Sequence, residues 1–344
     1  MICRHCAATT GDVVLDLGAQ PACDAFPAAD DPGPDPRYPL RMWLCARCGL
    51  AQLMEDPTTP AEPRGIEPAA LTAQAADAVR RVSGWLPASG TVFEYGSPHG
   101  GSWLPRLADL VPGRPADVVL DCFGLMHAAD QKTALRERVA SLRPGGILLL
   151  QYHSLETIVR DGQWNALRHG HFAYYSATAL DTMLTAAGMR EEADWTFDLY
   201  GGTRLVLAKH GESRAFVSRD PMRDPTMVRR LQAQVERTTT ELQTFLAEHK
   251  GKVIGYGAAS RAVALLCRAG IDVEDLPAVA DASTAKWGRR MPGTRIPVIS
   301  PAELADRKPD IVLVFVPDIL KEVRAKFPNI PGWAIAEPVP QLIG

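Results

Sequence analysis

Two C-x-x-C pairs near the start of the chain, and two later stretches that each run buried strand, Gly-rich turn and helix, predict an α/β protein of three parts. The parts are an N-terminal zinc-binding module over 1–66, a shortened Rossmann-like domain over 67–215 and a C-terminal Rossmann-like α/β domain over 216–344. A length of 344 residues accommodates them at roughly 150 residues per domain. An apolar fraction of 46 % supplies ordinary cores and argues against disorder. Basic residues number 37 and acidic residues 40, without the basic excess of a nucleic-acid reader. The 28 glycines and 28 prolines follow no repeat, which excludes a collagen-like chain. No apolar run reaches the roughly 18 residues of a membrane span, and MICRHCAATT lacks the apolar core of a secretory signal. The expectation is a cytoplasmic protein with reduced thiols, a small-molecule substrate and no nucleic-acid or membrane partner.

In the head, Cys3/Cys6 and Cys45/Cys48 supply the four sulfurs that a structural zinc takes. Four thiolates leave no open position, so the metal is predicted to be structural. A redox role needs one pair on a thioredoxin-like helix, which is not evident. Cys23 reads as a spare buried thiol, and Cys122 and Cys267 lie in apolar runs and read as core.

The middle opens on helical periodicity over 69–87. TVFEYGSPHGGSWLPRL then reads strand, turn and helix, placing Glu94, Gly96, Gly100 and Gly101 at a nucleotide-binding first turn. ADVVLDCFGLMH is a buried strand, KTALRERVASL a helix and RPGGILLLQY the next strand. The interval Ser102–Ala116 has room for one helix and a turn. The second strand, its helix and the third strand have no residues to form from. The acid that would hold a ribose about 20 residues past the Gly turn is therefore missing, and Asp121 is the candidate substitute.

His169 and His171 stand two apart, so an extended backbone would put them on one face. A neutral imidazole can take a proton from a carbon made acidic by an adjacent ketone. Arg168 could hold a carboxylate, a phosphate or an enolate oxygen. The alternatives are an H-x-H metal pair, for which no third ligand is near, and two ordinary strand residues. In the tail, residues 221–248 predict a long amphipathic bridging helix, and GKVIGYGAASRAVALLCRAGI predicts strand, Gly turn and helix. DLPAVADAS is a second strand ending at Asp281, KWGRRMPGTRIPVISPAEL a loop, PDIVLVFV a third strand and WAIAEPVP the closing one. Gly255, Gly257 and Ser260 form an incomplete G-x-G-x-x-G, read as a phosphate seat at the helix start.

VFEYGSPHGG, ADVVLDCFGLMH and SLRPGGILLLQY resemble, in order, the first motif, fourth strand and fifth strand of the S-adenosylmethionine-dependent methyltransferase fold. Pro98 and His99 stand where that family usually shows Asn-Asp. With the cysteine head, the stretch Arg168 to Ser176 resembles one branch of it, the zinc-containing sugar C-methyltransferases that act on nucleotide-linked 4-keto-deoxysugars. Their signature is Tyr-His-Glu-His-Leu-x-Tyr-Phe-Ser, and YGGTRLVLA at Tyr200 to Ala208 resembles their Gly-Gly-Ser/Thr-x-Arg strand. The resemblance implies that His171 is the base, with His169, Arg168, Tyr174 and Tyr175 beside it. It implies adenosylmethionine at Glu94, Gly96, Gly100 and Asp121. It also implies a nucleotide-sugar held by Tyr152, Arg204, Gly255, Gly257, Ser260, Asp281 and Lys286, with help from the basic loop at Arg289 and Arg290. Two departures stand out: the family Glu is Gly170 here, and the family Tyr is Arg168. The function implied is C-methylation in antibiotic-type secondary metabolism. The alternatives are an adenosylmethionine-independent epimerase or isomerase and an inactive scaffold.

Overall fold

The computed structural model describes residues 1–58, 67–96, 98, 100–212 and 220–343. The expected domain limits at 66 and 215 lie outside them, as does His99. In the head, β1 (Gly11–Pro21), β2 (Arg37–Cys45) and β3 (Ala51–Leu53) form an antiparallel sheet. Its apolar positions bury Leu15, Leu17, Met42 and Leu44.

The middle domain contains α1 (Ala69–Val82), β4 (Gly90–Tyr95), β5 (Leu110–Pro112), β6 (Ala116–Cys122), α2 (Gln131–Ala140), β7 (Leu142–His153) and α3 (Leu155–Arg160). It continues with β8 (Ala173–Tyr174), α4 (Ala177–Ala186), β9 (Met189–Phe197) and β10 (Thr203–His210). The sheet order is β5-β4-β6-β7-β10-β9, parallel from β5 to β7 and antiparallel beyond. This corrects two expectations. A second strand does exist, as the three-residue β5 beside β4, and the helix read after the Gly turn is one 3₁₀ turn at Leu104–Arg106. β8 leaves its own domain and pairs with β3, so the histidine segment is stitched to the head sheet.

The C-terminal domain begins with α5 (Pro225–Glu248), capped by Asp224, whose side chain accepts from the Thr226 N–H. Its apolar stripe, Val228, Leu231, Val235 and Leu242, is fully buried. Gln232 on this helix accepts the Asp16 N–H of β1, and the Trp164 indole N–H of the middle domain donates to Thr238 at 2.7 Å. The helix thus joins all three parts. Then come β11 (Val253–Tyr256), α6 (Ser260–Ala269), β12 (Val279–Ala280), β13 (Arg289–Arg290), β14 (Pro297–Ile299), α7 (Pro301–Arg307), β15 (Ile311–Val314), α8 (Leu320–Lys326), β16 (Gly332–Ile335) and β17 (Gln341–Ile343). The sheet order is β13-β14-β12-β11-β15-β16-β17, with the five central strands parallel. The stretch read as a loop after Asp281 holds β13 and β14, so PDIVLVFV is the fourth parallel strand and not the third. Among the described residues no helix is long and apolar enough to cross a membrane.

Candidate functional site

The four head sulfurs, Cys3, Cys6, Cys45 and Cys48, lie within 4.8 Å of one another. Cys3–Cys48 and Cys6–Cys45 are each 3.6 Å apart. A tetrahedral zinc with Zn–S near 2.3 Å places its sulfurs about 3.8 Å apart, so the set fits the ion. Each pair sits on a tight turn that ends in a left-handed residue, Ala7 at φ 59° and Gly49 at φ 76°. The Cys48 thiol stabilises Cys3 as thiolate and draws it down to about 5, while Cys48 itself is pushed up. None of the four borders the cavity described next, as a structural role requires.

The parallel strands of both α/β domains aim their carboxyl ends at one cavity of about 230 Å³. Pro98 follows β4, Phe123 and Met126 follow β6, and His153 ends β7. From the other side, Ala258–Arg261 follow β11 and Val316 follows β15. In each sheet these are the neighbouring strands at which the chain order reverses, the crevice where open α/β sheets bind ligands. His171, Arg168, Ser260 and Lys286 all reach it, so four of the predicted residues from three segments meet there.

His169 and His171 do not share a face. Residues 169–170 form a turn, with Gly170 at φ 82° and the His171 N–H donating to the Arg168 carbonyl at 3.4 Å. His169 turns toward the head, where its Nε2 donates to the Pro39 carbonyl at 3.2 Å, and burial lowers its pKa. His171 turns into the cavity. A glutamate at 170 would have to adopt a left-handed backbone, which costs an L-residue about 1–2 kcal/mol, so Gly170 matches its own turn. His127 braces this turn from β6: its Nδ1–H donates to the Gly170 carbonyl at 2.9 Å, and its ring lies 4.7 Å edge-on to His171. Burial, aided by the Arg168 charge, lowers His127 to about 4 and keeps it neutral. Burial and the Arg261 charge lower His153 to about 3.

Arg168 is a tie between domains. It is 7 % exposed, and its guanidinium donates to the Asp24 carboxylate at 2.8 Å and to Ser260 Oγ at 2.5 Å. Tyr174 and Tyr175 stand behind the turn and not on the cavity wall. The Tyr174 hydroxyl accepts the Arg168 N–H at 3.0 Å, and the Tyr175 hydroxyl donates to Gln131 at 2.5 Å. Burial pushes both phenols up.

Other predicted contacts are spent within the protein. Tyr152 is 3 % exposed and borders a small void under β7, while Arg204, its cross-strand neighbour, pairs with Glu191 and Asp194. At the C-terminal Gly turn, the Gly257 N–H donates to the Ala280 carbonyl at 2.8 Å and the Ala258 N–H to the Asp281 carboxylate at 2.7 Å. Gly255 is required by close packing, since a Cβ there would meet Phe315 at 2.7 Å. The Gly257 and Ala258 N–H groups are thus engaged within the chain, ahead of the start of α6 at Ser260. Lys286 donates to the Ala258 carbonyl at 2.9 Å. Arg289 donates to the Phe26 carbonyl and Arg290 forms a two-bond pair with Asp35 at 2.7 Å, so both clasp the head. Sequence reading missed Asp24, His127, His153 and Arg261. Only the two histidines carried a signal, as polar residues at the carboxyl ends of apolar strands.

Among the described residues, those predicted to hold adenosylmethionine are paired within the chain and do not fit it. Glu94 accepts from Ser102 Oγ and the Trp103 N–H, at 2.5 and 2.8 Å. Asp121, the candidate ribose acid, is 1 % exposed, pairs with Arg138 and accepts the Gly124 and Leu125 N–H groups at 2.7 and 2.9 Å. β5 ends at Pro112 and is followed by Gly113-Arg114-Pro115, which offers no carboxylate. The Gly101 N–H is taken by Glu67 at 3.1 Å, and Gly96 offers open space but no donor side chain.

Comparison with known proteins gives three domain matches. A zinc binding domain model matches residues 3–61, a methyltransferase domain model residues 106–191 and a C-methyltransferase C-terminal domain model residues 217–338. The C-methyltransferase NovU of Streptomyces niveus is 27 % identical over 255 residues, which cover 69 % of this chain and 59 % of NovU. The match thus spans less than two thirds of that relative. An S-adenosylmethionine-dependent methyltransferase of Thermotoga maritima aligns at TM-score 0.30 and 15 % identity, over 41 % of this chain and 91 % of that one. Magnesium protoporphyrin IX methyltransferase of Synechocystis PCC 6803 aligns at 0.31 and 10 %, over 41 % and 83 %. The zinc binding, methyltransferase and C-methyltransferase C-terminal domain models thus match in this order along one chain, which is similar to a C-methyltransferase over most of its length.

Proposed function

We propose that this chain is an enzyme that binds a nucleotide-linked keto-deoxysugar between its two α/β domains and removes a proton next to the ketone with His171. The carrying observation is the placement of His171 in a cavity bounded by the carboxyl ends of both sheets. An α-proton of a ketone leaves slowly in water, so a placed base and a partner for the oxyanion are both needed. His171 is the base, positioned through Gly170 by neutral His127. Arg168 and Lys286 supply positive charge on the same wall. The first helical turn of α6, at Ser260 and Arg261, faces the cavity and favours the diphosphate.

The family reaction would then place a methyl group on the enolate. A second reading, return of the proton to give epimerisation or isomerisation, is favoured by the internally paired Glu94, Asp121 and Gly101 donor and acceptor groups. Calorimetric titration with thymidine diphosphate, then with a thymidine-diphosphate keto-sugar, tests the site. Binding of both, weakened about tenfold or more by Lys286→Met, is expected. Absence of binding by either would leave a scaffold and overturn the reading.

A further inference from the structure

The turn after β4 holds a carboxylate of its own. Gly100 and Gly101 both adopt left-handed backbone, at φ 79° and 80°, and the Gly101 N–H donates to Glu67 Oε2 at 3.1 Å. A Cβ at Gly100 would lie 2.9 Å from the same oxygen, so the carboxylate rests directly on the turn. Its other oxygen accepts from Thr72 Oγ1 at 2.8 Å, in the first turn of α1. Glu67 precedes Pro68, the residue that caps α1, so the helix start delivers it there. The next donors along the loop, Ser102 Oγ and the Trp103 N–H, serve Glu94. Two in-chain carboxylates thus take the donors of Gly101, Ser102 and Trp103.

We infer that Glu67 is the resident ligand of this glycine turn, filling the place an external amino-acid carboxylate would need, so that the chain works without a methyl donor. This deepens, and rests on, the proton abstraction proposed for His171. The balance needs no co-reactant. The α-C–H bond breaks, its proton goes to the imidazole, and the electron pair moves through the new C=C bond to the carbonyl oxygen. The imidazolium, or water exchanged with it, returns a proton to carbon as the carbonyl re-forms. The product is an exchanged, epimerised or isomerised ketone.

Three readouts on the full chain test this. Titration of wild type with adenosylmethionine should give no binding tighter than about 1 mM. The Gly101 amide resonance should move in Glu67→Gln and Glu67→Ala, because its acceptor changes. Both variants should keep the α-proton exchange of wild type. Micromolar affinity of wild type for adenosylmethionine, or a Gly101 amide unmoved by both substitutions, overturns the inference. If titration and amide behave as expected but wild type exchanges no α-proton, the failure belongs to the His171 reading and the assignment of Glu67 stands.

Discussion

Arg168 is the residue whose loss should be felt most widely. Its side chain is 8 % exposed and that of its partner Asp24 is 18 % exposed, with 2.8 Å between them. Removing one partner of a buried pair costs about 3–5 kcal/mol, because the remaining charge stays buried and uncompensated. Partial access of water to Asp24 puts Arg168→Met near the low end, about 3 kcal/mol. Ser260→Ala removes a single hydrogen bond to a charged donor and should cost about 1.5 kcal/mol. Asp24→Asn keeps an acceptor but strands the guanidinium and should fall between the two. The double variant Arg168→Met/Asp24→Asn should cost less than the sum of its parts, since no buried charge is left unpaired. Urea unfolding followed by tryptophan fluorescence reads this ladder, because buried Trp164 sits on the seam where the middle domain meets α5. Additive effects, or an Arg168→Met variant as stable as wild type, would refute the buried tie.

The other expectations concern the metal and the histidines. Metal analysis should find near one zinc per chain, and Cys45→Ser should lose it and unfold the head first, since binding energy there is folding energy; a metal-free head of undiminished stability would contradict this. Acid should weaken the fold through His127 and His153, whose pKa values fall from 6.5 to about 4 and about 3. The unfolded chain binds protons that the folded chain refuses between those values, so their contribution is complete above pH 6.5 and is lost as pH falls through that window. Urea midpoints at pH 7.5 and pH 5 should differ less in His153→Gln than in wild type, and equal differences would contradict the assignment.

The metal head and the two strand–turn–helix units were legible because their signals are local: paired cysteines at fixed spacing, and apolar runs broken by glycine. The shortened sheet was legible for the same reason, although three residues at Leu110–Pro112 sufficed for a strand where none was expected. The cavity wall was less legible. Asp24, His153 and Arg261 come from three separate segments, and no sequence spacing relates them. The turn at Gly170 reversed the expected pairing of His169 with His171, because one left-handed glycine sends adjacent side chains to different domains. Both glycine turns read as ligand seats, yet each is engaged by a carboxylate of the chain, Glu67 in one and Asp281 in the other. Such self-pairing is set by tertiary contact and leaves no mark on the motif.

The claim that His171 removes an α-proton is tested most directly by solvent exchange. Wild type incubated in deuterated water with a nucleotide-linked keto-deoxysugar should place deuterium on the carbon next to the ketone, read by proton NMR or mass. His171→Ala should slow that incorporation by about 10²-fold or more, the usual scale for a general base, while binding the nucleotide as wild type does. Incorporation by the variant at the wild-type rate would contradict the account at its central residue.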